Sequence, residues 1–392
     1  MKYTLGALFF SFYFGLGFSQ NLDSLNVSKI NDTIKSNFLN ERRAIEIQLP
    51  RSYETDVMKN YPLIIVMDGD YMFNLVSGSV DYLSFWGDIP ENLVVGISQR
   101  DSRFDDSSNL DPIDYTPISS TANFYDFLIN ELIPYITKNY RVSNFRILVG
   151  HERTANFINF FLLKENPVIR GIVSISPKFT TNMDKYITEK LKGTKSKIIY
   201  TLSSSKKDFE TIYQNVKDFS ETLDSIENKN LMFKSLIFEN ENHYILPSVS
   251  VPTSIRNTYS LYSDIDKVEY DSIISKLDTS PIEYLQNKYQ LIKDFYEIDK
   301  TISINDFLAI EDYIESFERY ELYNDLSEIA NEEYPETIVS SYYKGRFYEE
   351  TGQFEKAMYT YKSAYILSEV KGFFTKDYLL QLADEIKSDF NL

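Results

Sequence analysis

Two histidines, His151 and His243, and no cysteine are what this 392-residue chain offers for nucleophilic or metal chemistry. A thiol nucleophile, a structural disulfide and lipid attachment at a cysteine are thereby excluded, and a His-based metal site is disfavoured. His151 stands in ILVGHERTANFINFF, residues Ile147 to Phe161, which reads as a short apolar strand, a tight turn and a helix. Glu152 sits in the middle of that turn. A carboxylate there has no proton to give at neutral pH and is a poor nucleophile toward an ester.

The elements needed to hold such a turn are written on either side of it. From Ala44 to about Ser263 the apolar runs AIEIQL, PLIIVMD, NLVVGIS, FRILVG, GIVSIS, KIIYTLSS and LMFKSLIFE alternate with helical segments. That alternation predicts an α/β domain with a mainly parallel sheet covered on both faces. SSTANFYDFLINELIPYITKNY and DKYITEKLK carry apolar residues at three-to-four spacing, as amphipathic helices do. After Ser263 the strand signal fades and helical patterns take over. In YYKGRFYEETGQFEKAMYTYKSAYIL, Gly345, Tyr348, Gly352, Phe354, Ala357, Tyr361 and Ala364 fall on the spacing of a tetratricopeptide repeat, whereas the preceding 34 residues keep only Tyr320 and Ala330 in register. One such unit cannot bury its apolar face alone, so PIEYLQNKYQLIKDFYEI and TKDYLLQLADEIKSDF are expected as packing partners.

Composition narrows the function. Hydrophobic residues make up 43% and charged residues 25%, a globular balance. The net charge of -18, with no basic patch, argues against a nucleic-acid partner. Lys2 followed by a run of apolar and aromatic residues ending in small ones predicts a signal peptide over 1–19, cut before Gln20, and a periplasmic or secreted protein. No later run approaches the ~20 apolar residues of a membrane helix, so no stable membrane insertion is expected. The organisation read here is a signal peptide at 1–19, a lead-in at 20–41, an α/β domain at 42–263 and an all-α, tetratricopeptide-like domain at 264–392. The 31 tyrosines and 28 phenylalanines are spread over the chain and single out no surface.

The first domain resembles a bacterial esterase family of the α/β-hydrolase fold, which includes enterochelin-esterase-like and S-formylglutathione-hydrolase-like proteins. The family writes its elbow G-H-S-x-G-G; here it is Gly150-His151-Glu152-Arg153-Thr154-Ala155, with serine and both later glycines replaced. YPLIIVMDGDYMFN resembles the family's strand and Asp-Gly turn, which would bring Gly69 and Asp70 near the oxyanion hole. LVVGISQRDSRFDD resembles G-I-x-N-x-x-R-x-x-D, with Arg103 on the arginine. SISPKF resembles S-P-S with Lys178 for the second serine, and FENENHYILP resembles the terminal E-x-H, which puts His243 at the catalytic histidine. The resemblance covers roughly residues 42–263 and implies a Ser-His-acid hydrolase needing no cofactor. Its acid would follow KIIYTLSS, where Asp208 is the first candidate and Glu210 the second; a charged first turn of the next helix explains either equally well. Arg153, beside the substituted nucleophile, completes the expected pocket with Gly69, Asp70 and Arg103.

Glu152 cannot simply replace serine. Hydrolase-fold dehalogenases and epoxide hydrolases use a carboxylate at the elbow, but with aspartate and dedicated cap side chains, and this chain has Trp86 as its one tryptophan and no cap insertion. Glu152 as a base for water would set it against His243, and an ion pair would tie both groups up. Losing serine and two glycines together predicts relaxation of the strained turn. Ser143, Ser174 and Ser176 have no spacing that would make them substitutes, and His151 reads as a scaffold residue behind the elbow. The expectation is a degenerate hydrolase that binds a small molecule or a protein or peptide without catalysis, the alternative being an ester hydrolase with a non-standard site. The helical domain is expected to brace the first domain or to contact a protein.

Overall fold

The computed structural model describes residues 27–392, so the signal peptide read at 1–19 and the first part of the lead-in lie outside the described residues. Eight strands form one sheet: β1 (Lys29–Ser36), β2 (Glu41–Gln48), β3 (Tyr61–Val66), β4 (Leu93–Ile97), β5 (Val142–His151), β6 (Gly171–Ile175), β7 (Ile198–Lys207) and β8 (Leu231–Asn242). Their spatial order is β1-β2-β4-β3-β5-β6-β7-β8. β1 and β2 pair antiparallel, as do β2 and β4, and every other pairing is parallel. β1, KINDTIKS, falls in the stretch read as a lead-in, and β2 already begins at Glu41. An edge strand with polar residues at most positions carries little of the apolar signal that reveals a central strand.

The central strands are buried on both faces, which is why their sequences run apolar without alternation. Successive residues nevertheless serve different layers. Leu63, Ile65, Leu93, Val95, Leu148 and Ile172 face one core, while Ile64, Val66, Val94, Ile147, Val149 and Val173 face the other. The helices of this region are α1 (Gly69–Phe85), α2 (Arg103–Ser107), α3 (Ser119–Asp126), α4 (Ile133–Asn139), α5 (Arg153–Asn159), α6 (Met183–Gly193), α7 (Glu210–Asp224) and α8 (Leu246–Thr258). α3 and α4 are joined by a π-helical turn, Phe127–Leu132, inside the segment read as one amphipathic helix. Residues of α3 to α7 cover the first face, and α1 and α8 the second. The result is an α/β-hydrolase sandwich.

Helices alone follow: α9 (Lys267–Ser272), α10 (Pro281–Tyr296), α11 (Ile304–Ser316), α12 (Leu322–Glu333), α13 (Ile338–Glu350), α14 (Phe354–Ser363) and α15 (Lys376–Phe390). From α11 onward each packs on the next. Gly345 lets α13 and α14 approach, since a Cβ at that position would lie 2.1 Å from the ring of Tyr361. α10 belongs to two cores. Ile282 and Leu285 pack among the helices, whereas Ile292, Phe295 and Tyr296 join the second sheet core against Phe145 and Tyr259. Arg170 and Glu297 close this junction with an ion pair at 2.7 Å. Phe145 lies near the start of β5 and Arg170 just before β6, so the helices are fastened to the end of the sheet opposite the elbow.

Candidate active site

The elbow keeps its strained form. Glu152 follows β5 with φ 57° and ψ -104°, a region a residue with a Cβ enters only when its surroundings impose it. Gly150 is one condition, because a Cβ there would lie 2.8 Å from the backbone of Thr154 and Ala155. Thr154 is the other. Its fully buried Oγ1 accepts from His151 N at 3.0 Å and donates to Asp68 Oδ2 at 2.6 Å. The expectation that losing the later glycines would relax the turn is therefore corrected: a hydroxyl fastens what small neighbours alone would merely have permitted. Asp68 and Ser176, at the ends of β3 and β6, also have positive φ, so three neighbouring strand ends turn sharply in the left-handed region.

Arg103 ties these ends together. Its Nε and Nη2 donate to Asp68 at 2.6 and 3.3 Å, Nη2 also donates to the His151 carbonyl at 2.9 Å, and Nη1 donates to Glu152 Oε2 at 2.9 Å. Burial alone would raise the Glu152 pKa, but the Arg103 hydrogen bond and charge, helped by Arg153, hold it below the usual carboxylate range. Burial alone would likewise lower that of Arg103, and Asp68 outweighs it, so the guanidinium stays firmly charged. The Glu152 carboxylate thus pairs with Arg103, whose fork already lies across the elbow. Arg153 Nε stands 3.9 Å from Glu152 Oε1, and its guanidinium stacks over Phe104.

A second cluster lies beside the first. His243 Nδ1 is 2.7 Å from Asp208 Oδ1, and both side chains are almost wholly buried. Ser176 and Ser204 donate to Asp208 Oδ2 at 2.5 and 2.9 Å, and Phe209 N donates to Oδ1 at 2.7 Å. Burial would raise the Asp208 pKa; the hydrogen bonds from His243 and the serines more than reverse it, so the carboxylate is ionised. Glu210 instead accepts from Gln214 at 3.0 Å in the exposed first turn of α7. The His243 ring lies between His151 and Phe209, with centroids 4.7 and 4.5 Å away. His151 is neutral, its pKa lowered to about 4 by burial first and then by the neighbouring His243 and Arg103.

The remaining residues divide. Asp70 points away from the elbow and accepts from Ser98 Oγ and Gln99 N, both at 2.7 Å. Gly69 packs so tightly on β4 that a Cβ would lie 2.7 Å from the Ile97 carbonyl oxygen. Asp68, Thr154, Tyr71, Ser176 and Phe209 are the site residues that sequence reasoning missed or assigned elsewhere. Asp68 had a signal, as the first acid of MDGD directly after β3; Thr154 was read as an obstacle. Among the described residues no group of three or more His, Asp or Glu is arranged to hold a metal ion, and no helix is long and apolar enough to cross a membrane.

Residues 36–156 match the family model described as Putative esterase. No curated protein matches the chain. A crystal structure of an uncharacterised protein from Capnocytophaga ochracea is similar over 92% of this chain and 100% of its own, with TM-score 0.79 and 23% identity, and so carries the sheet and the helical region together. The IroE-like serine hydrolase from Shewanella oneidensis is similar over 77% of this chain and 98% of its own, with TM-score 0.57 and 16% identity. The BES protein from Bacillus cereus is similar over 59% and 94%, with TM-score 0.52 and 20% identity. The chain is accordingly an α/β-hydrolase-fold protein, and its residues 36–156 match the esterase family model.

Proposed function

We propose that this is an exported binding protein built on an esterase scaffold, in which hydrolysis through an acyl-enzyme has been lost. The observation that carries the proposal is the Glu152 carboxylate at the elbow, held by Arg103 at 2.9 Å. Ester hydrolysis through an acyl-enzyme needs a hydroxyl or thiol whose proton an imidazole removes. Glu152 supplies neither. The ligand, a small molecule or a peptide, meets Arg153, Glu152 and His243 with the exposed rings of Tyr71, Phe104, Phe209 and Tyr244 around them. The helical region, with tetratricopeptide-like spacing in α13 and α14, is the place for a protein contact and lies away from the elbow.

The Asp208–His243 pair favours a second reading, an ester hydrolase with a non-standard site. Turnover of short-chain aryl esters by purified protein separates the two. No turnover above that of Glu152→Ala and His243→Ala is expected; substantial turnover lost in both variants would replace the first reading with the second. A thermal-shift screen then searches for the ligand, since a molecule that binds only the native state raises Tm.

A further inference from the structure

β8 closes the sheet with an apolar edge. β7 lies on one side of it, and on the other no strand follows among the described residues. α7 and α8 pack against its faces. Ile198 N donates to the Asn230 carbonyl at 2.8 Å, so even-numbered residues of β8 turn their amides and carbonyls toward β7. By the alternation of a strand, those of Phe233, Ser235 and Ile237 turn outward. None of the three has a backbone hydrogen bond outside the sheet among the described residues. The opposite edge is guarded against pairing, because β1 carries Lys29, Asp32 and Lys35. β8 begins LMFKSLIF, with Lys234 as its one charge there, and its large apolar side chains are half-buried.

We propose that β8 pairs antiparallel with β8 of a second copy of this chain, about a twofold axis at Ser235, so that two eight-stranded sheets become one. Such pairing is independent of what the elbow binds. It gives the outward amides and carbonyls the partners they lack: Ser235 exchanges both bonds with Ser235 of the second copy, and Phe233 does so with Ile237.

The strand is complementary to itself in this register. Phe233 lies opposite Ile237, Met232 opposite Phe238 and Lys234 opposite Leu236, with the Lys234 ammonium left in water at an exposed position. Phe233 and Ile237 pack on the first sheet core and Met232 and Phe238 on the second, so both cores continue across the join. An axis moved to Leu236 would set Phe233 against Glu239 and Met232 against Asn240, and an axis moved to Lys234 would set that lysine against itself. The antiparallel arrangement also brings the exposed Lys229 at the start of each strand to the Glu241 end of the other, which opposes the repulsion between two chains of net charge -18. The turn before β8 in one copy then stands beside Glu241 of the other, close to His243.

The test uses the whole protein in sedimentation equilibrium, where wild type should dimerise at about 10–100 µM. Ser235→Pro removes an N–H that the single chain leaves unbonded, a change an edge strand tolerates. It should weaken dimerisation at least ~10-fold with the circular dichroism unchanged. The chain has no cysteine, so Ser235→Cys carries a single thiol. The Cα atoms of a hydrogen-bonded pair lie about 5.5 Å apart, within disulfide reach, and mild oxidation should link two copies. Lys234→Cys, whose counterpart is a diagonal neighbour about 7–8 Å away, should link far more slowly. The cysteine variants decide the matter where proline prevents folding. Wild type that is monomeric at about 100 µM overturns the proposal and leaves the edge to a strand of another protein. A dimer that persists undiminished in folded Ser235→Pro, or that links faster through Lys234→Cys than through Ser235→Cys, overturns it as well.

Discussion

Thr154→Val tests whether the elbow is held by a hydroxyl. The two side chains have nearly the same shape, so the change deletes the hydrogen bonds of Thr154 Oγ1 and little else. His151 N, which donates to it at 3.0 Å, would be left unpaired in a buried turn, and Asp68 would lose its 2.6 Å donor. An unsatisfied buried donor costs about 1–3 kcal/mol, and a hydrogen bond to a carboxylate is worth about 1.5–3 kcal/mol. Arg103 and Tyr71 also donate to Asp68, so its loss falls at the low end. The sum is about 2.5–4.5 kcal/mol, or a fall in Tm of roughly 5–9 °C at about 2 °C per kcal/mol for a protein of this size. Thr154→Ser, which keeps the hydroxyl and loses a methyl, should cost about 1 kcal/mol. Calorimetric melting of the three proteins is the assay. A Thr154→Val protein within about 0.5 kcal/mol of wild type, with Thr154→Ser more damaged, would show that the methyl's packing holds the elbow and the hydroxyl does not.

Glu152→Ser alone should give at least as much aryl-ester turnover as the same change combined with Thr154→Gly and Ala155→Gly, because the turn is already formed and Thr154 supports it; a triple variant that is clearly the faster would refute this. Arg103→Ala should cost about 3–5 kcal/mol in urea unfolding, since it strands the buried Asp68 carboxylate, while Glu152→Gln should cost under about 1 kcal/mol because Arg103 keeps its other partners. Glu311, on α11, accepts from Tyr342 at 2.5 Å and its pKa is raised to about 7, chiefly by burial, with Arg346 opposing and Glu315 adding to the shift. Between about 4.5 and 7 the native state therefore binds this proton and the unfolded chain does not, so the helical region should gain stability, at most about 3 kcal/mol, as pH falls from 8 to 5. Glu311→Gln should remove that gain. His151 works the other way: with its native pKa near 4 against 6.5 unfolded, it costs the sheet region stability as pH falls through that window. Hydrogen exchange at pH 8 and 5 reads both regions, and parallel responses would contradict the assignment.

How much was legible depended on how local the cause was. PLIIVMD, NLVVGIS and KIIYTLSS announced central strands because a strand buried on both faces has to be apolar throughout. KINDTIKS, on the sheet edge, has only Ile30 and Ile34 as large apolar residues and resembles a loop. Glu152, His243 and Asp208 could be found because each sits directly after or near the end of a strand whose order was readable. What Glu152 bonds to could not be found. Its partner comes from α2, 49 positions away, and the choice of Arg103 over His243 depends on where Asp68 and the His151 carbonyl aim that guanidinium. Thr154 was misread for the same reason: a side chain that breaks a motif can be an obstruction or a fastening, and only the position of Asp68 decides which.

α10 makes the boundary in the chain differ from the boundary in the packing. A cut at Ser263 divides strands from helices in the sequence, yet it removes Ile292, Phe295 and Tyr296 from the sheet's second core and bares Phe145 and Tyr259. A cut after Tyr296 instead takes Ile282 and Leu285 out of the helical core. Neither region is therefore a transferable module: each contains part of the other's interior, and a shuffled copy of either would arrive with an open wound along one side. Such a joint lets the two parts change their surfaces independently over evolution while obliging them to be inherited as one piece.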